Sequence, residues 1–155
     1  MKKSLCNQNL PEWARGWLAG LIDGEGTITV ERLRRRKNNN INYRPLIVIN
    51  NTSLELIQKV REVCSCGTIS LHSPSYMKRF PQKRTVYSIK IKGSFNVSAI
   101  LKQIYPYLIV KRKQAEIVLK ICEENIKAYS TNKLANTKYL EMLKRELNRC
   151  NKRGK

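Results

Sequence analysis

Asp23 and Glu25, each followed by a glycine, are the two carboxylates whose setting points to chemistry. They close an apolar stretch, Trp17-Leu18-Ala19-Gly20-Leu21-Ile22, that reads as a helix from about Glu12 to Gly24, with Pro11 just ahead of it. Gly16, Gly20 and Gly24 recur every four residues and share one face, with Ala19 beside them. Small residues on one face let two backbones approach closely. Gly24 and Gly26 are poor helix residues and good C-terminal caps, so the carboxylates fall at the helix end. That is the negative end of the helix dipole, an unfavourable place for an anion unless a cation binds there. The plainer alternative is a buried helix ending in a polar turn.

The elements around this turn follow from periodicity. Thr27 to Leu33 alternates as a strand, with Ile28 and Val30 on one face. Arg34 to Asn42 reads as a basic, Asn-rich hairpin loop, and Tyr43 to Asn50 as a second strand in which Pro45 argues for a sheet edge or a bulge. Thr52-Ser53-Leu54-Glu55 has the form of a capping box that opens a helix at Ser53, with Leu56, Ile57, Val60 and Val63 inward. A short strand, Thr68 to His72, a polar basic loop and a further strand, Val86 to Lys92, come next. Ser94 is placed to cap a helix that ends at about Tyr105, before Pro106. Two more helices, about Arg112 to Ala128 and about Leu134 to Cys150, complete the chain. The order is αββαββα, an α+β class, with a core over about 10–128 and a helical extension over about 134–150. The 155 residues make one domain, 1–155, large enough for a core without disulfides.

Charge narrows the partners. The formal net charge is +20, and no acidic residue occurs from Arg32 to Leu54 or from Val63 to Ala115. A basic centre with acid confined mostly to helices suits a polyanion lying along one face. No apolar run approaches a membrane span, so no membrane partner is expected. The five cysteines, Cys6, Cys64, Cys66, Cys122 and Cys150, have no framework spacing and read as reduced, mostly buried thiols. His72 is the only histidine, which argues against a zinc site.

Leu18-Ala19-Gly20-Leu21-Ile22-Asp23-Gly24-Glu25-Gly26 resembles the signature of the LAGLIDADG homing endonucleases, with Gly24 for the usual Ala and Glu25 for the usual final Asp. Pro106-Tyr107-Leu108-Ile109-Val110-Lys111-Arg112-Lys113-Gln114-Ala115 resembles the stretch of that family that brings a basic residue beside the scissile phosphate. The αββαββα order is the fold this resemblance implies, with an antiparallel DNA-binding sheet and C-terminal helices. A single motif implies a homodimer acting on double-stranded DNA at a long pseudo-palindromic site, leaving short 3′ overhangs, with no small-molecule substrate. It also implies an intracellular location with genomic DNA, in prokaryotic cytoplasm or, as richness in Lys, Asn and Ile suggests through an AT-rich coding genome, in an organelle (chloroplast or mitochondrion).

The resemblance assigns roles residue by residue. Phosphodiester cleavage needs a nucleophilic water, charge relief on the phosphate and help for the leaving oxygen. With few acids and no histidine cluster, this chain needs a metal, and Mg²⁺ suits carboxylate, carbonyl, phosphate and water oxygens. Glu25 matches the metal-binding acid and Gly24 the residue whose carbonyl assists, with Mn²⁺ or Ca²⁺ able to substitute for binding. Lys111 falls on the active-site lysine position, where the alternative is a surface lysine at a helix start; Asn50, at the end of the second strand, falls near a polar, water-organising residue, where the alternative is capping of the next helix by Asn51 and Thr52. Gly16, Trp17, Ala19, Gly20 and Asp23 would form the dimer interface.

A two-stranded β-ribbon fits the major groove. The strand residues expected to face DNA are Thr29, Glu31, Leu33, Arg35, Tyr43, Ser70, His72, Ser88 and Lys90, with Arg34, Arg36, Arg44 and Lys113 as further contacts. Two other readings use the same charge: an intron maturase or splicing cofactor that binds RNA, and a non-catalytic basic nucleic-acid-binding protein. The last would have no use for the carboxylate turn.

Overall fold

A computed structural model describes residues 5–34, 40–71 and 85–152. Helix α1, Glu12–Glu25, starts at the Pro11 carbonyl, which accepts from the N–H groups of Ala14 and Arg15. Its inward row is Ala14, Leu18, Ala19 and Ile22, and it passes directly into β1, Gly26–Arg34. No side chain fits at that junction. A Cβ on Gly26 would lie 2.8 Å from Ile22 Cα and 2.9 Å from its carbonyl oxygen.

β2, Ile41–Asn51, pairs antiparallel with β1, Gly26 opposite Ile49 and Arg34 opposite Ile41. Helix α2, Leu54–Cys64, leads to β3, Thr68–Leu71, and then β4, Tyr87–Lys92. β4 pairs antiparallel with both β2 and β3, so the sheet order is β1-β2-β4-β3. α3, Ser94–Ile104, a 3-10 turn at Tyr105–Tyr107, α4, Arg112–Ser130, and α5, Thr137–Asn151, follow. The α+β order expected from periodicity is observed.

One sheet face carries Ile28, Val30, Tyr43, Ile47, Ile49, Ile89 and Ile91, all buried in one cluster with the inward rows of the helices. The other face is left open. It presents cross-strand rows: Asn50, Ser88 and Ser70; Thr27, Val48, Lys90 and Thr68; Thr29, Leu46 and Lys92; Glu31 and Arg44; Leu33 and Asn42. Asn151 Nδ2 donates to the Ile28 carbonyl at 3.1 Å, so the end of α5 rests against β1, the outer strand.

Several local expectations are corrected. Pro45 lies in an interior strand, because the β4 ladder begins only at Leu46 and the Pro45 carbonyl accepts from Gly93 beyond it. Its missing N–H therefore falls where no ladder partner waits. Ser53, not Thr52, caps α2, its Oγ accepting from Leu56 N at 3.2 Å. Gly93, at φ 92°, precedes α3, and Ser94 is already helical, its hydroxyl accepting from Asn125. Reduced thiols are not found throughout, since Cys6 and Cys66 form a disulfide. Their sequence separation of 60 hides the pairing in the sequence. The N-terminal segment lies along the end of α2, where Asn7 N donates to the Cys64 carbonyl at 2.8 Å.

Candidate active site

The site is built where α1 ends. Asp23 Oδ2 accepts from Ile109 N at 2.7 Å and Oδ1 from Lys111 N at 2.9 Å. Lys111 Nζ returns to the Asp23 carbonyl at 2.5 Å. The segment between the 3-10 turn and α4 is thus clasped to the motif at two backbone N–H groups and one side chain. Leu108, 1% exposed, anchors it from the core side. For Asp23, the compensating cation at the helix end is this chain's own lysine.

Glu25, the last residue of α1, is exposed and accepts from Asn51 Nδ2. Asn51 Oδ1 in turn accepts from Ser53 N at 2.8 Å, which ties the carboxylate to the start of α2. Asn51, the neighbour of the Asn50 expected at this place, is thus the residue that touches Glu25. Asn50 sits at the head of the open face. Among the described residues its Oδ1 is buried without a hydrogen-bond partner, as is Ser88 Oγ directly across the β2–β4 ladder. Gly24 is exposed, and among the described residues no atom beyond its own stretch of helix lies within 4 Å of where a Cβ would stand.

Oxygen donors dominate this corner: the Glu25 carboxylate, the Gly24 carbonyl and the orphaned Asn50 Oδ1. They fit a hard divalent cation better than a soft one. Among the described residues no three of His, Cys, Asp and Glu come together, so one chain offers no closed metal cage.

The other expected residues fall in three groups. Thr29, Glu31, Leu33, Arg44, Ser70 and Lys90 lie on the open face, and Ser88 shares their parity but is itself buried, at 2% exposed. Tyr43 does not. It is 1% exposed among the core side chains, because residues of β2 alternate and Tyr43 shares parity with Ile47 and Ile49. Arg34 ends β1 exposed, on the parity of Ile28 and Val30, and Lys113 is exposed in the first turn of α4, 3.9 Å from Glu146. Arg35, Arg36 and His72 lie outside the described residues.

Of the residues expected at a dimer interface, Gly20 is exposed, and Gly16 and Trp17 are partly so. Ala19 is wholly buried in the core, because it belongs to the inward row of α1 with Leu18 and Ile22. Asp23 has both carboxylate oxygens engaged within the chain. Trp13, Tyr107, Ile109 and Val110 were missed. They are exposed apolar residues on α1 and on the clasped segment, with Ile109 at 85% and Val110 at 69%. An Ile-Val pair between a proline and three basic residues gave no periodic signal.

A sheet open on one face, with a carboxylate and a lysine gathered at one end, defines a class of αββαββα domain suited to handling a polyanion. The chain belongs to the LAGLIDADG endonuclease family, whose model matches residues 18–151. No curated protein matches it in sequence. Among solved structures, the homing endonuclease I-CvuI in complex with a DNA target is similar, with TM-score 0.73 and 19% identity over 93% of this chain and 85% of that one. The archaeal intron-encoded homing endonuclease I-Vdi141I complexed with DNA is similar at TM-score 0.73 and 19% identity over 93% of this chain and 87% of that one. The meganuclease I-CpaMI bound to uncleaved DNA gives TM-score 0.63 and 16% identity over 83% of this chain but only 41% of that one.

Proposed function

We propose that this protein is a site-specific, Mg²⁺-dependent DNA endonuclease that works as a homodimer on a long pseudo-palindromic site and leaves short 3′ overhangs. The observation that carries this reading is the clasp of Asp23 on the Lys111 segment, which holds the Lys111 ammonium on the Asp23 carbonyl, two residues before the exposed Glu25. A bound Mg²⁺ supplies charge relief on the phosphate and lowers the pKa of a coordinated water. Glu25 and the Gly24 carbonyl hold it. Asn51 keeps Glu25 in place, and Asn50 orients water near the cut strand. Lys111 stabilises charge that develops on the scissile phosphate.

Two copies are needed because one chain carries one such carboxylate while a duplex has two strands. The outer face of α1, with Gly16 and Gly20 open and Trp13, Ile109 and Val110 around them, suits close packing on a second copy about a two-fold axis. The size of I-CpaMI supports this, since the present chain spans under half of it. The open sheet face lies against the major groove, with Lys90, Lys92 and Arg44 among its side chains.

Selection of cleavable sites from a randomised duplex library, followed by sedimentation on the selected site, tests the reading. The expected result is Mg²⁺-dependent double-strand cutting by a dimer at a two-fold-related site. Double-strand cutting by a stable monomer overturns the dimer, and binding without cutting in Mg²⁺ or Mn²⁺ overturns the nuclease.

A further inference from the structure

Glu31 is, among the described residues, the only acid on any of the four strands. On a face suited to a polyanion, a carboxylate costs attraction, so its position calls for a reason. It stands directly across the β1–β2 ladder from Arg44. Arg44 Nε donates to Glu31 Oε2 at 3.0 Å and Nη2 to the same oxygen at 2.5 Å. Both side chains are about one-third exposed, 37% for Arg44 and 34% for Glu31.

The contact uses the Nε–Nη2 side of the guanidinium and leaves its end, Nη1 with the outer hydrogen of Nη2, for another acceptor pair. We infer that the Glu31–Arg44 pair is a preset reader of a G·C base pair, one in each half of the DNA site. This rests on the DNA-endonuclease reading and adds a base identity to it. The fork has donors only. Guanine offers two acceptors side by side in the major groove, O6 and N7, whereas adenine sets a donor beside its N7. Glu31 has acceptors only and suits the N4 amino group of the paired cytosine.

A phosphate contact is disfavoured by the same geometry. Paired with Glu31, Arg44 contributes little net charge, and a phosphate would meet the carboxylate as well as the guanidinium. Lys92 in the adjacent row and Lys90 in the row beyond it, neither in an ion pair among the described residues, suit phosphates better. The pair's place along the strand sets the position. Glu31 is six residues beyond Glu25, ~20 Å at ~3.3 Å per strand residue, or about six base pairs outward from the cut at ~3.4 Å each.

The test repeats the library selection with wild type, Arg44→Lys, Arg44→Ala and Glu31→Gln. Wild type is expected to retain G·C at one position in each half-site, about six pairs outward from the cut. Both Arg44 variants should relax that position by about 10-fold or more and leave the other positions alone. Arg44→Lys keeps the charge and loses only the fork, so its affinity for random DNA should hold even if Arg44→Ala folds poorly. Glu31→Gln should relax the same position and no other. If the Arg44 variants only rescale affinity, or relax an A·T position, the G·C assignment is overturned while the endonuclease reading stands. If wild type selects and cuts no sequence, the endonuclease reading falls and this inference with it.

Discussion

Asp23 and Glu25 are two residues apart and do different work. Asp23 spends both carboxylate oxygens on the backbone of the Lys111 segment, whereas Glu25 holds one side-chain amide and remains exposed. Asp23→Asn keeps one acceptor and turns an N–H toward a donor. It should cost about 1.5–3 kcal/mol by thermal or urea unfolding. Glu25→Gln keeps shape and the Asn51 contact and removes the charge that holds the metal. Mg²⁺-dependent cleavage should fall about 10³-fold or more with DNA affinity kept or raised, read by single-turnover gels beside filter binding. Lys111→Ala should slow cleavage of bound DNA by about 10²-fold while affinity changes little. A variant that lost only affinity would withdraw Lys111 from the chemistry. Two thiols should stay silent, since burial pushes Cys64 and Cys122 each up to about 12. Iodoacetamide near neutral pH should label neither until the protein is unfolded.

Helix α1 divides its glycines by task, and substitution should separate them. Gly26 has the backbone of Ile22 in the space a Cβ would need, so Gly26→Ala should destabilise the fold by about 1–3 kcal/mol. At Gly20 a Cβ would meet nothing within 4 Å beyond its own stretch of helix among the described residues. Gly20→Leu should leave each subunit folded, with an unchanged or higher melting temperature, and block dimer formation by sedimentation. A dimer that survived would move the interface away from α1. The same helix shows what was legible in advance. Its apolar period, its end at the carboxylates and the strands after it follow from spacing alone, and the motif pointed to Glu25 and Lys111. Ala19 was misassigned because a small residue beside a glycine row looks outward-facing until the neighbouring helices are present. The Asn51–Glu25 contact and the Cys6–Cys66 bond were invisible for a related reason. Each depends on which distant segment lies alongside, and no local pattern encodes that. Tyr43 was different, since strict alternation with Ile47 and Ile49 could have placed it.

Across the whole molecule, a net charge of +20 predicts affinity that falls steeply with salt. Neutralising Arg34 and Lys113 together should flatten that dependence by about two if both meet phosphates, at about 0.9 per contact, without changing which bases are preferred. An unchanged slope would place both in free solvent. The contact between the end of α5 and β1 has a consequence of another kind. An uncovered outer strand offers its spare N–H and C=O groups to any similar strand, and its length makes it more dangerous. β1 has nine residues, whereas β3 on the opposite flank has four among the described ones. With Asn151 bonded to Ile28, the end of the last helix occupies one of those carbonyls and should hinder pairing of β1 with a second copy of the protein. Removing residues 137–155 should yield thioflavin-positive, β-rich aggregates, visible by light scattering within hours of concentration. A truncated protein that stayed monodisperse would show that β1 needs no guard.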